Sequence, residues 1–72
     1  MQITGKTTYQ NIAVGCWGII DEQGQKWRMV NPPAELQRNG LHVRVEAQPA
    51  EESVSIFMWG KPIKITDFSI LD

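Results

Sequence analysis

Strict alternation of apolar and polar residues gives the clearest predicted strand in the chain. From residue 41 to residue 48 every odd position is apolar and every even one polar or ionisable, the pattern of a strand with one buried face. The alternation returns over residues 62–66, but Asp67 then falls where the next inward residue should be, and the apolar positions after it take the opposite phase. A β-bulge near Thr66 and Asp67 would restore the inward face.

The N-terminal half predicts three further strands. Residues 12–20 form an almost continuous apolar run interrupted by glycines, which is typical of a central strand that bends or is closely approached at those glycines. Residues 21–24 read Asp-Glu-Gln-Gly, a turn whose glycine can take a positive φ, and residues 26–29 alternate again, so a hairpin is predicted. Residues 3–9 predict a weaker strand, for which we expect an edge position.

One short helix and one apolar segment complete the pattern. Residues 33–38 begin with proline and are followed by Asn39 and Gly40, the usual asymmetry of a helix start and end. A helix of one or two turns is not stable alone, so Leu36 is expected to anchor it in the core. Residues 54–60 carry apolar side chains on both faces and end at glycine, which predicts either a two-sided strand or an irregular apolar strap.

The order of these elements predicts a small barrel made of a single domain over residues 1–72. Five or six short strands cannot form two stacked sheets of useful size, whereas a sheet closed into a barrel hides its edges. A helix after the third strand favours an all-β, OB-fold-like barrel. An SH3-like barrel is the alternative, but its helical turn typically comes later in the chain.

Composition narrows the classes of function. The chain has 72 residues, 42% of them hydrophobic, and a net charge of −1 from seven Lys and Arg against eight Asp and Glu. Domains of this size have only marginal cores, which disfavours an elaborate enzyme. The balanced and dispersed charge disfavours a dedicated nucleic-acid binder, because such domains usually carry a basic excess.

Cysteine usage and hydropathy bear on the compartment. A single cysteine cannot form an internal disulfide, which favours a reducing setting. No run of eighteen apolar residues is present, and the N-terminal residues lack the apolar core of a signal peptide. We therefore expect a cytoplasmic protein without a membrane partner.

Several short motifs together resemble a family of small uncharacterised prokaryotic proteins, and the resemblance spans nearly the whole chain. The motifs are CWGII at residues 16–20, PxEL at 33–36, GLxVxVE at 40–46 and SIxMWG at 55–60. The resemblance implies a compact OB-like barrel and no known activity. The chain departs from the family pattern at Phe57, where relatives carry histidine, and at Pro32, where an apolar residue is usual.

The side chains that could carry catalysis or bind a metal are few. Cys16 is the only thiol and His42 the only imidazole, and a thiol-dependent enzyme would need them in hydrogen-bond contact. Cys16 lies in an apolar run and His42 in the polar phase of its strand, which favours a buried cysteine and a surface histidine. No ligand spacing typical of a metal site occurs, so we expect no cofactor. We interpret Asp67 as part of a β-bulge and not as a functional carboxylate.

Three tryptophans are the main candidates for binding. Each lies beside glycine or a cation, so they could form a stacking platform for single-stranded nucleic acid or an oligosaccharide. The alternative is that they fill the core of a small barrel. The candidate binding residues are Trp17, Trp27, Arg28, Arg44, Phe57, Trp59 and Lys61.

The leading hypothesis is a non-catalytic binding or interaction module of OB-like type. It would bind a protein partner or a second copy through residues 54–60, where one apolar face should need a cover. The first alternative is single-stranded nucleic-acid or oligosaccharide binding through exposed tryptophans, although the net charge disfavours nucleic acid. A small thiol enzyme using Cys16 and His42 is the last alternative.

Overall fold

A computed structural model describes residues 1–11, 15–50 and 59–71 of the chain. The part described is a closed barrel of five strands in the order β1-β2-β3-β5-β4, which confirms the predicted small all-β barrel. Among the strand pairs of the described residues, only β3–β5 is parallel. The strands are β1 (Gln2–Gln10), β2 (Cys16–Asp21), β3 (Lys26–Met29), β4 (His42–Pro49) and β5 (Lys61–Ile70), with one 3-10 turn (Ala34–Leu36) between β3 and β4.

The barrel closes through β1, which is not the edge strand that its low apolar content predicts. Residues 2–6 of β1 pair with β4, and residues 5–10 pair with β2. Gly5 belongs to both ladders, and a Cβ added there would lie 2.2 Å from the carbonyl oxygen of Ile20. The missing side chain therefore lets β1 pass from one neighbour to the other at close range.

The core is aliphatic, and the tryptophans do not fill it. Nine buried residues form the cluster, among them Ile19, Leu36 and Val45 at 0% exposure. Trp17 and Trp27 only pack against its margin. Trp17, Trp27 and Trp59 are each half-buried, so full burial of all three in the core is not observed.

The bulge predicted in the last strand is confirmed. Glu46 pairs with Asp67 and Ala47 with Ile65, so Thr66 is the extra residue, and its hydroxyl donates to the Glu46 carbonyl at 3.1 Å. Asp67 is exposed, and its Oδ1 accepts a hydrogen bond from the backbone N–H of Phe68 at 2.9 Å. This carboxylate is therefore an exposed group on a bulged strand and not a buried acid.

The predicted helix over residues 33–38 is reduced to a 3-10 turn of three residues. Pro33 is extended, with φ −62° and ψ 145°, and Gln37 has already left helical geometry. Leu36 is fully buried, as predicted. The loop that follows is held by buried Thr7, whose hydroxyl donates to the Arg38 carbonyl and accepts from the backbone N–H of Leu41.

A side chain extends the seam between β3 and β5, where strand pairing ends after three residues of each strand. Asn31 donates from Nδ2 to the carbonyl of Ile65 at 3.3 Å and accepts the N–H of Ile65 on Oδ1 at 2.9 Å. The side-chain amide of Asn31 thus makes the two hydrogen bonds that the backbone of one more paired residue would make.

Two of the predicted elements are only partly described. In the apolar run of residues 12–20, β2 begins at Cys16, and residues 12–14 lie outside the described part. In the segment of residues 54–60, only Trp59 and Gly60 are described. The predicted hairpin between β2 and β3 is confirmed, with Gly24 at φ 84° in its turn.

Candidate binding face

The outward positions of β1, β2 and β3 form one face, which we call the outer face. In β1 they alternate with the buried residues Ile3, Gly5 and Thr7. Register places Lys6 beside Ile20, and Ile20 beside Lys26. Three strands thus bring these side chains into one row, which spans about 10 Å at the usual strand spacing.

The outer face carries cations and no carboxylate at its strand positions although the chain is almost neutral. The charged residues at outward positions of the first three strands are Lys6, Lys26 and Arg28, all cationic. The carboxylates of the described residues lie in the β2–β3 turn, in the 3-10 turn and on the β4–β5 side: Asp21, Glu22, Glu35, Glu46 and Asp67. The outer face therefore has a cationic character that the net charge of −1 conceals.

Trp59 lies on the outer face because Gly18 leaves room for it. A Cβ added at Gly18 would be 2.1 Å from Cζ3 of the Trp59 ring and 2.6 Å from Cη2. The next residue, Gly60, packs on the backbone of β3, where an added Cβ would be 3.2 Å from the nitrogen of Arg28. Trp59 is half-buried, and its position on Gly18 places it beside the row of Lys6, Ile20 and Lys26.

Two residues of the outer face are covered. Arg28 is 3% exposed and Cys16 is 8% exposed. Burial raises the pKa of the Cys16 thiol, and the nearby Arg28 charge only partly opposes that shift. Arg28 is one of the predicted binding residues, but in this structure its side chain is not presented to solvent.

Cys16 and His42 do not form a thiol–imidazole pair. Cys16 is on β2 opposite Gln10, His42 is on β4 opposite Lys6, and β1 runs between them. The two positions on β1 are four residues apart, or about 13 Å along the strand. The geometry required by the thiol-enzyme hypothesis is therefore not assembled.

Trp17 and Trp27 lie at inward positions of β2 and β3, on the opposite face of the sheet from Trp59. Trp17 makes an edge-to-face contact with Tyr9, with ring centroids 5.0 Å apart, where β2 begins. Trp27 lies next to the β2–β3 turn, where its Nε1 donates to Oδ2 of Asp21 at 3.0 Å. The Lys61 ammonium is 6.0 Å from the centroid of the Trp27 ring. The three tryptophans therefore do not form one continuous platform.

The remaining predicted binding residues are also dispersed. Arg44 is exposed on β4 between Thr4 of β1 and Ser69 of β5, away from Trp59. Phe57 lies outside the described residues. Sequence reasoning missed Lys6, Ile20 and Lys26, because only strand register shows that they share a face with Trp59.

A shallow groove of about 420 Å³ adjoins this row. Gly5 forms its floor, and its walls include Lys6, Ile20 and His42. At the end nearest the β2–β3 turn the groove is bounded by Asp21 and Glu22. It is therefore cationic and apolar along the strands and acidic only at the turn.

Residues 1–11, 15–50 and 59–71 contain no cluster of three side chains that could hold a metal ion. In the same ranges no helix is long and apolar enough to cross a membrane. Comparison of the chain with family models, with curated proteins and with solved structures found no match.

Proposed function

We propose that this chain is a non-catalytic binding module of the OB type whose ligand face is the outer face of β1, β2 and β3. The strand order β1-β2-β3-β5-β4, the parallel β3–β5 pair and a helical turn between β3 and β4 support the OB assignment over the SH3-like one. OB barrels bind ligands on the face of strands 2 and 3 and on the loops beside it.

One observation carries the proposal. Trp59 is seated on Gly18, next to exposed Ile20 and the lysines of the same row. An aromatic ring, an exposed aliphatic side chain and ammonium groups together provide both contact area and orienting charge.

A binding role is also favoured over a catalytic one by the state of the thiol. Cys16 is buried, its pKa is raised, and the imidazole lies beyond the next strand. A thiol rather than a thiolate is a poor nucleophile. The lone free cysteine also fits a reducing, cytoplasmic setting.

Thermal unfolding with a panel of ligands tests the proposal. The probes are oligo-dT, a neutral oligosaccharide and an acidic peptide, because a ligand that binds only the folded state raises the melting temperature. Ile20→Glu places a carboxylate on the outer face, and Ser69→Glu places the same charge on exposed β5 as the matched control.

We expect at least one probe to raise the melting temperature of the unmodified chain and of the Ser69→Glu variant, but not that of Ile20→Glu. If no probe raises it, or if Ile20→Glu is stabilised as much as Ser69→Glu, the outer face is not the ligand face.

Self-association through residues 54–60 stays a separate prediction, because most of that segment lies outside the described residues. Size-exclusion chromatography with light scattering tests it. A strict monomer at high protein concentration would exclude self-association and leave the proposal for the outer face unaffected.

A further inference from the structure

We propose that the ligand of the outer face is a single strand of nucleic acid, with phosphates on Lys6 and Lys26 and a base stacked on Trp59. This inference rests on the proposed function and names the class of ligand for the same face.

The distribution of charge favours an anionic ligand. Lys6 and Lys26 are both exposed, and the single residue between them in the row is Ile20. Outward positions of β1, β2 and β3 carry no carboxylate. A neutral sugar gains little from two ammonium groups, whereas a phosphate backbone that crosses the sheet replaces its counterions with them.

The position of Trp59 favours unpaired bases. Gly18, on which the ring lies, is two residues before Ile20 on β2, so the ring is about 7 Å from the lysine row along the strand. A base can stack on the half-open indole while its phosphate lies near a lysine. Proteins that bind single strands combine cations and aromatic rings in this way, and a duplex hides the base faces that stacking needs.

The boundaries of the face favour a narrow ligand. Asp21 and Glu22 end the groove at the β2–β3 turn, and Glu46 lies opposite Asp67 on the β4–β5 side. Arg44 of β4 and Lys64 of β5 are also exposed on that side, so carboxylates bound the cationic strip at the β2–β3 turn and only in part on the β4–β5 side. A flexible strand can follow it, whereas the wider backbone spacing of a duplex brings phosphates near those acids.

Fluorescence anisotropy of labelled oligo-dT over a series of salt concentrations tests the inference. Lys6→Gln and Lys26→Gln remove the charges in the row, and Lys64→Gln removes an exposed charge from β5. Each variant has a net charge of −2, since one positive charge is lost from −1. Differences among them therefore report position and not net charge.

Two phosphate contacts predict a slope of log K against log salt of about −1.4, at roughly −0.7 per contact for single strands. Lys6→Gln and Lys26→Gln should each remove about half of that slope, and Lys64→Gln should leave it unchanged. Trp59→Leu should weaken binding roughly 5- to 100-fold with the slope retained, because base stacking contributes little to salt dependence. Circular dichroism checks that each variant keeps its strands.

Three outcomes overturn the inference. If all three lysine variants weaken oligo-dT binding equally, the chain attracts oligo-dT through its overall charge and not through a site in the row. Equal affinity for a duplex would exclude base stacking on Trp59. Absence of oligo-dT binding at low salt, while another probe still stabilises the chain through the outer face, would reject nucleic acid and leave the proposed function in place.

Discussion

At the scale of single residues, Asp21 organises the β2–β3 turn. Its Oδ1 accepts the N–H groups of Gln23 and Gln25 at 2.9 Å each, and its Oδ2 accepts the indole N–H of Trp27 at 3.0 Å. These hydrogen bonds stabilise the ionised carboxylate and so lower the pKa of Asp21. The largest contribution comes from the Trp27 indole, and the backbone N–H groups contribute less.

The lowered pKa predicts how stability depends on pH. A carboxyl group with a lower pKa in the folded state stabilises the fold above its unfolded pKa of about 4, and that contribution is lost as pH falls through the folded value. Asp21→Asn should lower the free energy of unfolding at pH 7 by about 1 kcal/mol. Near pH 2 the variant and the unmodified chain should converge. Urea unfolding between pH 7 and pH 2 measures the free energy of unfolding of the variant and of the unmodified chain. If the two pH profiles run parallel, the hydrogen bonds to the Asp21 carboxylate do not cause the pH dependence.

Gly18 gives the second prediction at this scale. Gly18→Ala places a Cβ 2.1 Å from the Trp59 ring and 2.6 Å from the Trp27 carbonyl oxygen, so the ring must leave β2 and the β2–β3 pairing must also shift. Overpacking of this kind costs about 1–3 kcal/mol. The indole N–H signal of Trp59 in an NMR spectrum should shift strongly.

Gly24→Ala is the control for Gly18→Ala. Alanine is strained at this position because the backbone φ is 84°, but the added Cβ has no atom within 4 Å. The Trp59 signal should therefore stay in place. If the signal stays in place in Gly18→Ala as well, Trp59 does not lie on Gly18.

At the scale of elements, the seam between β3 and β5 depends on Asn31. Asn31→Ala leaves the N–H and the carbonyl of buried Ile65 without their partner, and the expected loss is about 1–3 kcal/mol. Asn31→Asp keeps the acceptor for the Ile65 N–H but sets a carboxylate oxygen against the Ile65 carbonyl, so it should not restore the lost stability. Chemical denaturation gives the energies, and hydrogen exchange at the Ile65 amide shows whether the seam has opened. Unchanged exchange in Asn31→Ala would show that the seam does not need this side chain.

The sequence predicts some elements well and others poorly, for physical reasons. β4 buries one face, so its alternation alone identifies it, and a bulge explains the phase change at Thr66. β1 looks like an edge because Gly5 and Thr7 occupy inward positions, but their small size is what lets β1 close the barrel. Such a role depends on partners distant in sequence, which local patterns do not identify.

The candidate site was less predictable than the fold. Residue type singled out the tryptophans, yet two of them lie at inward positions against the core and only Trp59 lies on the outer face. Lys6 and Lys26 are separated by twenty positions in sequence and become neighbours of Ile20 only through two strand registers. Charge counted along the chain could not show this grouping.

At the scale of the whole molecule, the grouping of cations on the outer face predicts unequal effects from equal changes in net charge. Glu22→Gln and Glu46→Gln each bring the net charge from −1 to 0, but only Glu22 borders the groove beside Lys6. A unit charge about 10 Å away in water changes binding by roughly twofold. Glu22→Gln should therefore tighten oligo-dT binding about twofold at low salt and Glu46→Gln much less. Equal tightening would show that net charge alone governs association.

An NMR titration of the ¹⁵N-labelled chain with oligo-dT tests whether the outer face of β1, β2 and β3 binds a single strand of nucleic acid. We expect shifts in the amides of Lys6, Ile20 and Lys26 and in the indole of Trp59, with Lys64 and Ser69 unmoved. Shifts confined to β4 and β5, or no shifts at low salt, would contradict it.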